Sequence, residues 1–343
     1  MLNRQLSDCI FLVILLLICQ SAVKAADMVI SQFVPANNAT EICADTKLWI
    51  AFTTVPAIST EGNLQICKLS DDSVVYQLNL QSLPSDIYGW IATGWPYQIN
   101  LNGIIKNYLP FAVSGNVMEI HPSIHLDYNT TYYVKMTAGF CTSGVDTSPA
   151  LTNNSSWQFT TKTSAPAADH DYLVDADGNG DFCTLQGATN AVADNDSEST
   201  IIKVKSGTYR ELVHIPATKK NATWLGEDVN TAIIAAYNRD ALNPGSDYRS
   251  MVKCSADGFR MYNITLQNTA GDNMGQAETI KHSGQKGIAD NCKFLSWQDT
   301  LLLNGQMYFK VCYIEGDTDY IWGSGTVYFD MCQMKSLTPT AHM

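Results

Sequence analysis

The feature that most limits how this chain folds is a rhythm in its second half. Short Val/Ile-rich runs at Ile201–Val204, Leu212–Ile215, Thr231–Ala235, Phe259–Leu266, Gly287–Phe294, Tyr308–Ile314 and Thr326–Phe329 are separated by Gly, Asn and Asp, and they return about every 20 residues. Runs this short bury little apolar surface alone. Stacking each turn of chain on the last gives them one continuous core, the arrangement of a parallel β-helix; a second sandwich is the competing reading. In a stack, residues one turn apart become neighbours about 4.8 Å away. Three segments then gain weight: Gly275-Gln276-Ala277-Glu278, Gln298-Asp299-Thr300-Leu301 and Asp319-Tyr320-Ile321-Trp322-Gly323. Each lies about one turn from the next, so two carboxylates and two carboxamides would converge on one face.

The first half has another texture. From Met28 to Thr161, alternating runs such as Leu48–Phe52, Val74–Leu78, Val117–Ile120 and Tyr132–Met136 are punctuated by Pro, Gly and Asn, the pattern of an all-β sandwich. No catalytic cluster stands out there. Trp90 and Trp95 could form an aromatic sugar platform, although packing is the commoner use of such residues. The stretch Thr163–Ala168 is small, uncharged and contains Pro166, which reads as a linker. The expected order is a leader over 1–25, a sandwich over 26–162, a linker over 163–170 and the coil stack over 171–343.

The leader reading rests on Arg4, the apolar run Ile10–Cys19 and small residues at Ala22 and Ala25, the order of a secretory signal peptide. The apolar run is shorter than the roughly 20 residues that span a bilayer. A secreted, extracellular protein follows. Of ten cysteines, Cys9 and Cys19 fall in the leader, leaving an even number that could pair in an oxidising compartment. No C-x-x-C is present and the histidines do not interleave with cysteine at zinc spacings, so neither a metal site nor a cofactor is expected. His121 and His125 read as a solvated or satisfied pair. Lys and Arg total 21 against 33 Asp and Glu, a net charge of −12, which argues against nucleic acid and anionic membranes as partners. A monomer is expected.

The three segments resemble the pectin methylesterase patterns Q-A-V-A-L, Q-D-T-L and D-F-I-F-G, in order and at near-correct spacing. Asp175–Phe182 resembles the family's opening D-G-x-G-D-F, Gly207-Thr208-Tyr209-Arg210-Glu211 its G-x-Y-x-E, and Asn263–Gly271 a further stretch. The resemblance covers roughly 171–335 and implies an all-β protein, with a right-handed parallel β-helix after a module that loosely resembles the Ig-like domains preceding bacterial extracellular enzymes. Ester hydrolysis requires a nucleophile, a proton donor for the leaving alkoxide and donors for the developing oxyanion. Neighbouring carboxylates repel when both are ionised, which keeps one protonated. The resemblance assigns Asp319 as nucleophile, Asp299 as acid and then base, Gln276 and Gln298 as oxyanion donors, and methylated homogalacturonan, the pectin backbone, as substrate. Tyr320 and Trp322 stand for two Phe residues and would face the sugar, with core packing as the other use of Tyr320. Leu302 replaces a usual Tyr, and Glu278 and Thr279 replace an apolar pair.

By the same resemblance Cys312 and Cys332 would bridge adjacent coils; two buried thiols are the alternative. The family's L-G-R-P-W segment would lie beyond Met343, so the resemblance also implies an incomplete β-helix lacking the Arg that contacts the nucleophile, with activity of this chain expected to be lost. A noncatalytic polysaccharide-binding β-helix is therefore the second expectation. A calcium-dependent lyase ranks last, because no acidic calcium cluster is evident.

Overall fold

The Val/Ile runs of the second half form the sides of a three-sided coil, the longer ones, such as Phe259–Leu266, supplying two sides and the corner between them. In the computed structural model, which describes residues 27–84, 95–168 and 171–343, these runs build three wholly parallel sheets. The first runs from Tyr172–Val174 through Ile201–Val204, Thr223–Gly226, Arg260–Tyr262, Gly287–Asp290 and Gln306–Lys310 to Thr326–Asp330. The second starts at Gly207–Tyr209 and ends at Gln333–Ser336, and the third starts at Val213–Ile215 and ends at Ile321–Trp322. This is a parallel β-helix. Inward residues stack into columns, Phe309 lying on Phe329 at 4.9 Å, and Phe294 of the second sheet meets Phe309 of the first edge-on across the core at 5.5 Å. Parallel pairing places like beside like, so one apolar position per run suffices to build a continuous core.

The corners are made by residues in the left-handed backbone region. Asn263, Asn291, Val311 and Met331 turn one corner at φ 54, 53, 53 and 52°; Asp299 and Asp319 turn another at 63 and 48°. Asn and Asp tolerate this conformation better than other non-glycine residues. Two motif residues serve the fold. Asp181 accepts from the Leu173 N–H at 2.8 Å, and Glu211 accepts from Leu185 and Gln186 at 2.8 and 3.0 Å, satisfying free amides at the start of the short helix Leu185–Ala191.

In the first half, a four-stranded antiparallel sheet and a five-stranded sheet enclose a shared core. Ile50, Phe52 and Met118 of one meet Leu64, Ile66, Tyr132 and Phe159 of the other. The five-stranded sheet contains one parallel pair, Ala39–Ile42 with Gln158–Thr161. The hairpin Gln98–Leu101/Ile104–Asn107 leaves this body, and Leu101 joins the core of the coils. Trp95 is packed, donating from Nε1 to the Tyr108 carbonyl at 2.9 Å; the leader and Trp90 lie outside the described residues. His121 is neither solvated nor hydrogen-bonded, being buried with both ring nitrogens unpaired and Glu119 at 3.7 Å. Burial holds its pKa well below the ordinary value. Among the described residues no helix is long and apolar enough to cross a membrane.

Candidate active site

The third sheet sets the site. Its register runs Ile280, Leu301, Ile321, so the residues two positions earlier, Glu278, Asp299 and Asp319, occupy equivalent places on successive coils. The turns are locked by backbone bonds from Thr279 N–H to Thr300 O at 2.9 Å, Asp299 N–H to Thr318 O at 3.0 Å and Leu301 N–H to Tyr320 O at 3.0 Å. Gln276 and Gln298 form a bridge pair just before them. The structure thus brings together Asp299, Asp319, Gln276 and Gln298, with Glu278 added.

Exposure separates the carboxylates. The Asp319 side chain is 54% exposed and lies 3.4 Å from His342 Nε2, whereas Asp299 is 6% exposed and Glu278 fully buried. The cation that meets the buried pair is Arg249, a residue absent from the sequence-level expectations. Its Nε donates to Glu278 Oε1 at 2.8 Å, Nη2 to Asp299 Oδ2 at 2.8 Å and Nη1 to Asp240 Oδ1 at 3.2 Å. The guanidinium also lies over the Trp322 ring, 5.6 Å from its centre. One cation faces three carboxylates, and burial disfavours the charged forms of Glu278 and Asp299. Burial therefore lifts Asp299 to about 6, against the lowering pull of Arg249 and with the added repulsion of Asp319; it lifts Glu278 to about 7 in the same way. A signal for Arg249 was present in the sequence, because an acid at 278, where the family pattern is apolar, demands a counter-cation once buried.

Arg249 is held by the first half of the chain. Lys106, fully buried, donates from Nζ to the Ser250 carbonyl at 2.6 Å, and Asn107 donates from Nδ2 to the Leu242 carbonyl at 2.8 Å and exchanges hydrogen bonds with Asn243 at 2.7 and 2.8 Å. The docking hairpin thus braces the 238–250 segment that presents the guanidinium. Two expected site residues divide. Trp322 is half-buried at the cluster, while Tyr320 is 3% exposed and belongs to the coil core, so its ring is packed and does not face outward. Leu302 is buried as well. Cys312 and Cys332 stack on adjacent coils as free thiols, with Cys292 one coil earlier.

A protonatable, sheltered acid beside an exposed carboxylate, with Gln276 and Gln298 bridged through their backbones just before them, is a set suited to acyl transfer. The sequence profile described as Pectinesterase matches residues 171–343. Pectinesterase 31 of Arabidopsis thaliana is 32% identical over 172 residues, 47% of this chain and 54% of that one. Putative pectinesterase 11 of the same plant is 38% identical over 170 residues, 48% of this chain and 47% of that one. A solved pectin methylesterase from carrot is 29% identical with a TM-score of 0.48, covering 50% of this chain and 55% of its own. The chain therefore spans about half the length of these relatives. By the match over half its length, the chain belongs to the pectinesterase family.

Proposed function

We propose that the protein hydrolyses methyl esters of galacturonate in pectin, releasing methanol and a carboxylate. The observation that carries this reading is the register that stacks Asp299 and Asp319 on adjacent coils, with Gln276 and Gln298 paired beside them. Asp319, the exposed carboxylate, adds to the ester carbonyl carbon, and the carboxamides of Gln276 and Gln298 receive the charge that develops on oxygen. Asp299, kept protonated into the weakly acidic range, gives its proton to the departing methoxide as the carbon–oxygen bond breaks. Water then loses a proton to Asp299, attacks the acyl group on Asp319 and frees the carboxylate product. Trp322 supplies an apolar face for the sugar. In this reading the protein is secreted after loss of residues 1–25, acts as a monomer, and carries an Ig-like sandwich over 26–162 and a linker over 163–170 ahead of the pectinesterase-like coils. The thiols of Cys312 and Cys332, neighbours on adjacent coils, pair on oxidation.

The test is methanol release from methyl-esterified pectin by the protein as its cell makes it. Asp319→Ala is expected to lower the rate about a thousandfold or more; full activity in that variant would falsify the assignment. A second reading, a noncatalytic pectin-binding surface, has its own support: among the described residues Asp319 lies beside the His342 imidazole at 3.4 Å and forms no ion pair with an arginine. Retention on pectin with no methanol release from the parent protein would select that reading.

A further inference from the structure

Away from this site, the two halves of the chain bring two cysteines together. Cys43 follows the strand Ala39–Ile42 of the first half, and Cys183 precedes Thr184, the N-cap of the helix Leu185–Ala191 on the first coil. Both are buried, at 0 and 1% exposure, and their sulfurs and an Asp45 carboxylate oxygen all lie within 4.8 Å of one another. We infer that Cys43 and Cys183 form a disulfide that ties the N-terminal double sheet to the first coil.

A metal is the competing occupant, and the hydrogen bonds argue against it. Asp45 Oδ1 accepts from the Cys183 N–H at 3.0 Å, and Oδ2 accepts from the Thr184 N–H at 2.9 Å and from its hydroxyl at 2.5 Å. Both oxygens are engaged in fixing the Cys183–Thr184 turn, which leaves two sulfurs for an ion that takes four ligands in a structural site. The same bonds favour pairing. Asp45, two residues from Cys43, clamps the backbone of Cys183 itself, so the two sulfurs are presented to each other by a fixed contact. Lys162 Nζ and Cys43 Sγ both reach the Gly180 carbonyl, at 2.5 and 3.4 Å, closing the same seam from the other side. Turning the two side chains brings the sulfurs to bonding distance of about 2.0 Å. A bond joining segments so far apart in the chain restricts the unfolded state more than a local one.

The contact with the Cys43 sulfur, then burial and the neighbouring acid, push the Cys183 thiol well above its ordinary pKa, and thiolate is the reactive form. The bond therefore forms while the two halves are docking, before water is excluded. The oxidant is a disulfide donor. One cysteine thiolate attacks it and releases a thiol, the second thiolate resolves the mixed disulfide and releases the other, and both electrons and both protons end on the donor.

The test uses the full chain exported to an oxidising compartment, denatured without reductant, alkylated with N-ethylmaleimide and digested. The expected result is a Cys43 peptide joined to a Cys183 peptide, neither alkylated, two hydrogens lighter than the sum of the separate peptides. In Cys43→Ser the Cys183 peptide is expected to become alkylated, and the single variants to melt at the same lowered temperature as the double. Alkylation of both cysteines in the parent, pairing of either with another cysteine, or one zinc retained per chain that is lost in Cys43→Ser would each overturn the inference. None of these readouts depends on esterase activity.

Discussion

The two halves of the molecule turn sequence into space by different rules. In the coils a residue's neighbour is the residue about one turn further on, so Ile280, Leu301 and Ile321 meet because of their spacing. In the double sheet the neighbours come from anywhere. Leu48–Phe52 pairs with Ile30–Val34 on one side and Val117–Ile120 on the other. A repeated position in the coils is therefore a column, and a change at one level is felt by the levels above and below. In the double sheet a change is more often local.

The largest expected difference between the halves is steric. Gly284, Gly305 and Gly325 form a column in which a β-carbon on Gly305 would overlap the Gly284 carbonyl and one on Gly325 the Gly305 carbonyl. Gly305→Val is expected to cost about 4 kcal/mol or more and to unfold the coils around it. Gly115, in the turn between Phe111–Ser114 and Val117–Ile120, has open space around it but sits at φ 57°. Gly115→Ala should cost only about 1 kcal/mol, through backbone conformation alone. Urea melts of the two variants would break the comparison if their losses were equal.

The next effect tests the ion cluster. Arg249→Met leaves buried Glu278 and Asp299 without their guanidinium, which for a buried pair costs about 3 kcal/mol. The loss should be larger at pH 8 than at pH 5, where the acids escape by protonation. Adding Glu278→Val, the residue that the family pattern has there, should recover more than half of it. In the proposed ester hydrolysis the Asp299 acid would titrate higher in Arg249→Met, because the cation that lowers it is gone, moving the alkaline limb of the profile upward. Unchanged stability and profile would make Arg249 a bystander.

These two regions also divide what the sequence disclosed. Strand rhythm, the equivalence of Asp299 and Asp319, and the pairing of Gln276 with Gln298 are consequences of spacing, and spacing is visible in a sequence. Arg249 is not spaced that way. It lies on the 238–250 segment, between Ala232–Ala236 and Val252–Cys254, which departs from the coil path and is braced by Lys106 and Asn107 from the other half of the chain. Only the acid at Glu278 hinted at a cation. Tyr320 was read as a possible sugar contact, but the left-handed turn at Asp319 sends the next side chain inward. The parallel pair of Ala39–Ile42 with Gln158–Thr161 joins strands at opposite ends of the first half, a choice of topology that alternation cannot express.

A smaller effect follows from Glu278 titrating at about 7 in the folded chain against 4.5 when free. Because its folded pKa is the higher one, the folded state binds more protons between these values. The stability it contributes is complete below about 4.5 and is lost as pH rises through 7, with a slope of at most about 1.4 kcal/mol per pH unit. Asp299, raised from 3.8 to about 6, acts in the same direction at lower pH. Glu278→Gln should flatten the upper part of the curve; a parent protein whose urea midpoint rises from pH 5 to 8 would contradict the cluster's electrostatics.

The smallest expected effect is a gain. Val311 turns a coil corner at φ 53° with a β-branched side chain that is 46% exposed, so it carries backbone strain and buries little. The equivalent corner residues on earlier coils are Asn263 and Asn291, whose amides are joined by a bond from Asn291 Nδ2 to Asn263 Oδ1 at 2.9 Å. In the first half the comparable demand is met by suitable residues, since the hairpin Gln98–Leu101/Ile104–Asn107 turns through Asn102 and Gly103 at φ 51 and 86°. Val311→Asn would relieve the strain and extend the amide column by one bond, for about 1 kcal/mol of stabilisation. Val311→Gly separates the two contributions, because it removes the strain without adding an amide, and the added freedom of the unfolded chain offsets part of its gain. The expected order of urea midpoints is Asn above Gly, and Gly at or above the parent. If Asn falls below the parent, the exposed valine is held by contacts stronger than its strain, and the corner column is not the stabilising element that its repetition suggests.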